Sequence, residues 1–270
     1  MGKKSRLEIV LENFRLQNLQ PKIGLEFEFY LTKNRLPASK ESTKEFINNL
    51  DLEFSNQDLP PVKISSEQGS SQFEIQTLPY SNIIHLCQDF IRIKYIIRNS
   101  DSDLVADFSS QPFKNDCGSA LQINFNLFKK EQNIFNKKNG EESKFLLWCI
   151  SSLLKSTKKM LPIFAPKKED LLRFDLNLNI ALHKNKKYTA PVNLSWGYDN
   201  RTALIRIPRS NNEKNRRIEF RLGASDMDIY PAIELFSSVI LKGLEEKNHP
   251  PEATFGNAFD EKYKLENLLS

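Results

Sequence analysis

Three histidines and three cysteines are all that 270 residues hold of the side chains that most often bind transition metals or act as nucleophiles. Cys87, Cys117 and Cys149 are an odd set without close spacing, which argues against a disulfide framework or a zinc knuckle and fits a reducing cytoplasm. His85, His183 and His249 are equally isolated. His85, in an apolar helical run, is expected to be a satisfied structural residue and the other two exposed, so no histidine catalyst is expected. No stretch approaches the roughly 18 apolar residues of a membrane span, and Met1 to Arg6 lacks the apolar core of a secretory leader. A soluble, cytoplasmic protein without a membrane partner is the expectation. Charge of one sign is also scarce: 39 Lys and Arg stand against 34 Asp and Glu, a formal net charge of +5. The pairs Lys3-Lys4, Lys129-Lys130, Lys137-Lys138 and Lys158-Lys159 are separated by acids, so they read as solvated surface and not as a nucleic-acid footprint.

With 39% hydrophobic residues and neither an internal repeat nor a low-complexity linker, the chain can bury a sizeable core as one domain. Helices are predicted at Leu7 to Asn18, Lys44 to Leu50, Asn82 to Asn99, Glu141 to Leu161 and Pro231 to Glu246, where apolar residues recur at helical spacing. Strands are predicted at Lys22 to Leu31, Ser71 to Gln76, Leu121 to Phe128, Val192 to Trp196, Ala203 to Pro208 and Arg217 to Leu222. Their irregular order points to an α+β fold with a curved, mainly antiparallel sheet flanked by helices. The connections Asn133 to Glu142 and Arg209 to Asn215 are expected to be mobile, the second able to cover a ligand.

Three segments concentrate charge on strand faces. In an extended strand Glu26 and Glu28 share one face while Phe27 and Phe29 share the other. Two carboxylates side by side repel unless a cation or a basic group lies between them, which favours a hard metal ion. Glu67 and Glu74 flank a small-residue turn, so a strand-turn-strand corner can bring both to one ion. Arg217, Glu219 and Arg221 again share one face, with Ile218 and Phe220 opposite.

Taken in order, Gly24 to Phe29, Glu67 to Ile75, Cys117 to Gln122, Ala190 to Pro208 and Arg216 to Arg221 resemble the catalytic domain of the glutamine synthetase family. The likeness covers about residues 20 to 260. It implies Mg²⁺ or Mn²⁺ at two sites, the first held by Glu28, Glu67 and Glu74. Glu26 and Glu219 match ligands of the second site, where Gln122 stands in place of the family's histidine and implies weaker binding. Asn124 and Asn126 match nucleotide-binding positions, Arg206 and Arg217 phosphate contacts, and Arg201 and Arg206 catalytic arginines. Arg173, Gly118 and Arg221 match contacts to glutamate. The guanidinium suits these roles because its fork pairs two oxygens and keeps its charge.

The implied function is an ATP-dependent glutamate-amine ligase, with glutamate, ATP and ammonia or another amine as substrates. It would form a γ-glutamyl phosphate and then an amide. Thr189 occupies the position of the family's flap glutamate, Cys117 that of a glutamate-binding asparagine, and Asp175 to Lys187 is an extra stretch rich in Asn and Lys. These departures support an alternative, a catalytically silent homologue that binds nucleotide or glutamate as a regulator or assembly partner. The family's N-terminal β-grasp domain has no counterpart before Gly24, so the expectation is one catalytic domain over 1–270, forming a homo-oligomer or taking the missing domain from a partner subunit.

Overall fold

The computed structural model describes residues 2–57, 59–100 and 103–270. Met1, where the N-terminal reading begins, lies outside the described residues.

Alternation builds the sheet. β1 (Gln20–Lys33), β4 (Gln72–Thr77), β6 (Ala120–Lys129) and β10 (Ile218–Ala224) extend or shift the predicted strands by a few residues. β2 (Leu36–Pro37), β3 (Val62–Ser66), β5 (Val105–Asp107), β7 (Gln132–Asn133), β8 (Trp196–Tyr198) and β9 (Ile205–Ile207) complete a sheet of ten strands among the described residues. Its main path runs β3-β4-β1-β6-β10-β9-β8, with β2 and β5 on β1 and β7 on β6. Every pairing is antiparallel except β8 with β9. The expected α+β, mainly antiparallel architecture is the one observed.

The apolar side of each strand is covered by helices. These are α1 (Lys3–Leu16), α2 (Lys40–Asn56), α3 (Ile83–Asn99), α4 (Lys144–Phe164), α5 (Leu176–Lys184) and α6 (Ile229–Glu246). Phe27 of β1 meets Phe90 of α3 edge-on at 4.9 Å, Phe125 of β6 meets Phe236 of α6 at 5.4 Å, and Phe220 of β10 meets Phe164 of α4 at 5.6 Å. Buried aromatic pairs of this kind are worth roughly 1 kcal/mol each beyond their area. Side-chain caps set the helix starts: Asn82 accepts from the His85 N–H at 3.2 Å, and Ser143 accepts from the Leu146 N–H at 3.3 Å.

Four expectations change. Helix α2 runs well beyond Lys44 to Leu50, because the Ser39 hydroxyl caps it and Phe46, Leu50 and Phe54 all bury. The strand predicted at Val192 to Trp196 begins only at Trp196. Its earlier residues pair with the C-terminal segment, through Leu194 N–H to Glu266 O at 2.9 Å and Leu268 N–H to Val192 O at 2.9 Å. His85 lies on the exposed side of α3, with Nε2 3.6 Å from Asp89. The two connections expected to be free are tied to each other: Asn133 Nδ2 donates to the carbonyls of Glu213, Lys214 and Arg216, and Arg216 pairs with Glu142 at 2.6 Å.

Candidate active site

The other face of the same strands lines a cavity of about 450 Å³. Glu26 and Glu28 reach it from β1, Glu74 from β4, Gln122 from β6, Arg206 from β9, and Glu219 and Arg221 from β10. Register does the positioning: Glu28 lies opposite Glu74 across β1 and β4, and Glu26 lies opposite Gln122 across β1 and β6. A slip of one residue in any of these pairings would turn the carboxylates into the core. Glu67 follows β3 at the corner that leads to β4, and Gly118, Arg173, Arg201 and Arg217 also line the cavity. Every residue expected at the two metal sites is thus gathered on one wall system.

The acidic wall is strained electrically. Glu28 accepts from the Ala120 N–H at 2.9 Å and faces amide donors of Gln72 and Gln122, each at 3.3 Å. Burial, then the neighbouring Glu67, still push its carboxyl up to about 7. Glu74 is pushed up by burial and then by Glu26, Glu28, Glu67 and Glu219. Burial raises Glu26 as well, with Glu219 adding to it and Arg217 opposing, while Gln76 donates to its Oε1 at 2.5 Å. Burial also raises Glu67.

Oxygen-only donors of this kind fit a hard divalent cation. Among the described residues no three acidic, histidine or cysteine side chains are drawn together as an assembled metal centre. Gln122 turns its amide toward Glu28, not toward Glu26 or Glu219.

Most of the basic wall is hydrogen-bonded to the protein. Arg206 pairs with Glu219 at 2.8 Å and with Asp199 at 2.5 Å. Arg221 donates to the carbonyls of Arg201 at 2.5 Å, Ala203 at 2.9 Å and Thr189 at 2.9 Å. Arg173, 2% exposed, donates to the carbonyls of Arg221, Leu222 and Gly223, and burial lowers its pKa only to about 10, so it stays cationic at neutral pH. The ladder shifts register between Phe220 and Gly223, and a Cβ at Gly223 would stand 2.6 Å from the Leu121 carbonyl. Only glycine permits that approach.

Arg173 Nε and Arg206 Nε are buried without hydrogen-bond partners. Arg201, by contrast, is exposed and stacks on Tyr188 at 4.4 Å. Asn124 sits behind the wall, donating to Glu26 at 3.0 Å and accepting from Arg217 Nε at 2.6 Å. Asn126 lies outside the cavity lining, its amide on the carbonyls of Lys214 and Arg216.

Residues 187–190 cross the cavity as a fastened strap. Lys187 pairs with Asp116 at 2.9 Å, Tyr188 N–H donates to Gln68 at 2.6 Å, and the Cys117 thiol lies 3.7 Å from the Tyr188 carbonyl. Burial pushes that thiol up to about 12, which makes it a poor nucleophile. The Ala190 N–H donates at 2.7 Å to Asn179 of α5, the helix inside the stretch Asp175 to Lys187. Asn179 also holds the carbonyls of Arg173 and Asp175, each at 2.8 Å.

Sequence reasoning missed Gln72, Gln76, Asp116 and Asn179. Gln72 and Gln76 alternate with Glu74 on β4 and were open to the period-two argument; Asp116 meets Lys187 far along the chain, and Asn179 acts through backbone contacts within eleven residues that no motif announces.

The family model "Glutamine synthetase, catalytic domain" matches residues 36–268. The chain is 23% identical to gamma-glutamylputrescine synthetase of Escherichia coli (strain K12) over 278 residues, covering 93% of this chain and 57% of that protein. It is 28% identical to glutamine synthetase of Pyrococcus abyssi over 262 residues, covering 91% and 56%. The chain therefore spans just over half the length of these relatives. Among solved structures it is similar in fold to a GmaS/ADP complex, with a TM-score of 0.84 at 17% identity over 98% of this chain and 65% of that one. A Plasmodium falciparum glutamine synthetase matches with a TM-score of 0.78 at 18% identity over 92% and 56%. No helix among the described residues is long and apolar enough to cross a membrane.

Proposed function

The chain belongs to the glutamine synthetase family, and from that premise we propose that its cavity is the active site of an ATP-dependent glutamate-amine ligase. The observation that carries the reading is the opposition of five carboxylates, Glu26, Glu28, Glu67, Glu74 and Glu219, to Arg173, Arg201, Arg206, Arg217 and Arg221 around one cavity. Anionic ligands and divalent cations would satisfy both walls at once.

In this reading Arg173, Arg221 and the Gly118 backbone hold glutamate. Arg201, Arg206 and Arg217 hold the phosphates of ATP and keep their charge during transfer. Asn124 steadies Arg217, and Asn126 fixes the 214–216 segment beside the nucleotide. Glu28, Glu67 and Glu74 would hold one Mg²⁺ or Mn²⁺, and Glu26, Glu219 and Gln122 a second. When bound, the ions supply charge neutralisation at phosphate oxygens.

A side-chain oxygen of glutamate attacks the γ-phosphorus, the bond to ADP breaks, and γ-glutamyl phosphate forms. The amine nitrogen then attacks the carbonyl carbon and loses a proton, and phosphate leaves with the bridging oxygen. The chain contributes positioning and electrostatics, with no covalent enzyme intermediate. Thr189 offers a hydroxyl where a carboxylate would attract ammonium, which favours an amine larger than ammonia. Assembly with further copies, or with a partner subunit, belongs to the same proposal.

The test is phosphate release from ATP with Mg²⁺ or Mn²⁺ and glutamate, across ammonium, hydroxylamine, polyamines and amino compounds. Release that needs both glutamate and an amine is expected. Nucleotide binding with no glutamate-dependent release would instead support a silent, ligand-binding homologue.

A further inference from the structure

A second cavity, of about 540 Å³, adjoins the strap. Tyr188, Thr189 and Arg201 line both it and the active-site cavity, so the two share a wall made of three side chains. Its remaining charged lining is Lys186, Lys187 and Asp199, with the imidazole of His183 beside them. The single carboxylate is already engaged, since Asp199 accepts from Arg206 at 2.5 Å. Lys187 is matched by Asp116 at 2.9 Å. Lys186 and Arg201 have no ion-pair partner among the described residues. The charged lining of the cavity is therefore net cationic, with its one carboxylate already paired. In the shared wall Thr189 is 6% exposed and its hydroxyl is buried without a hydrogen-bond partner.

We propose that the acceptor amine carries an anionic group, a carboxylate, sulfonate or phosphate, and that this second cavity takes that group. The proposal rests on the ligase reading of the main cavity and names its substrate class. The amine end faces the active-site cavity at the strap while the anionic end meets Lys186, leaving Arg201 to the phosphates. The bond changes are those of amide formation: nitrogen bonds to the glutamyl carbon, a proton leaves the nitrogen, phosphate departs, and the anionic tail is unchanged. A diamine such as putrescine would bring a second positive charge among like charges, which disfavours it.

The experiment compares 2-aminoethyl phosphate and β-alanine with putrescine and methylamine as acceptors, and hydroxylamine as a small control, with ATP, Mg²⁺ and glutamate. Lys186→Glu is run beside the parent protein; Lys186 is exposed and absent from the lining of the main cavity. The expected result is a higher kcat/KM for the anionic amines. Lys186→Glu should lower it about tenfold at low ionic strength, as for reversal of one solvent-exposed charge close to the tail, with hydroxylamine turnover unchanged. Turnover that prefers putrescine or methylamine, or an anionic preference that Lys186→Glu leaves intact, overturns the proposal while the ligase reading stands. Absence of glutamate-dependent turnover with every amine, hydroxylamine included, defeats the ligase reading. In that event calorimetric titration with 2-aminoethyl phosphate decides: binding lost in Lys186→Glu keeps the anion site, and no binding removes it.

Discussion

Glu28 and Glu74 face each other across one wall of the cavity, Glu28 held by one backbone and two amide donors, whereas Arg221 and Arg173 in the opposite wall each hold three carbonyl oxygens. Both walls come from the same sheet and the same alternation. They differ in what the fold asks of their charges. The arginines hold the strap, the 201–203 turn and the β10 bulge in place, so they are part of the architecture before any ligand arrives. Burial and mutual repulsion raise the proton affinity of Glu26, Glu28, Glu67 and Glu74, a cost that a bound cation would relieve. One wall is preorganised and the other is poised.

The largest expected effect breaks the basic wall. Arg221→Met should leave three buried carbonyls without their donor and cost about 3–5 kcal/mol of stability, since removing one partner of a buried charged cluster strands the rest. Thermal denaturation checks this, and an unchanged midpoint would mean that the arginine is not structural. Glu74→Gln tests the contrast from the other side. It should weaken divalent-cation affinity about 100-fold, read by Mn²⁺ titration, while the metal-free protein keeps or gains stability because a buried carboxyl that repels its neighbours whenever it ionises is gone. A metal-free variant less stable than the parent would show that Glu74 is held by attraction.

Protonation sharpens the comparison further. Glu28 titrates near 7 in the folded protein, above its ordinary value. Its contribution to the stability of the metal-free protein is therefore full below about pH 4.5 and is lost as pH rises through about 7. Cation affinity has the opposite sign, falling about tenfold per pH unit below 7 as protons compete. Mn²⁺ titrations at pH 6, 7 and 8 check this, and a flat affinity would remove Glu28 from the ligand set. The smallest effect concerns Gln122→His, which should tighten nucleotide binding or raise turnover a few-fold in Mg²⁺. No change in either places residue 122 outside the metal site.

Much of this was legible because the site and the core are written on alternate residues of the same strands. Glu26 with Phe27, Glu74 with Ile75 and Glu219 with Phe220 each specify a strand and both of its faces. Helix α5 was not legible for the same reason. Leu176, Leu178, Ile180 and Leu182 fall at every second position, a strand-like pattern, yet the Asp175 cap and the buried Asn179 make a helix of the segment. The edge strand β3 hides behind Pro60 and Pro61 in a run with little apolar alternation. The strap was visible only as a missing glutamate at Thr189. Its fastening depends on Asp116, Gln68 and Asn179, which no local pattern links to it.

The most direct measurement supplies glutamate labelled with ¹⁸O in its side-chain carboxylate, with ATP, Mg²⁺ and an accepted amine, and follows the label by mass spectrometry of the released phosphate. Attack by the carboxylate on the γ-phosphorus followed by amide formation predicts one ¹⁸O in each phosphate released. Phosphate that carries no label, its fourth oxygen drawn from water, would contradict a γ-glutamyl phosphate and with it the role assigned to the cavity.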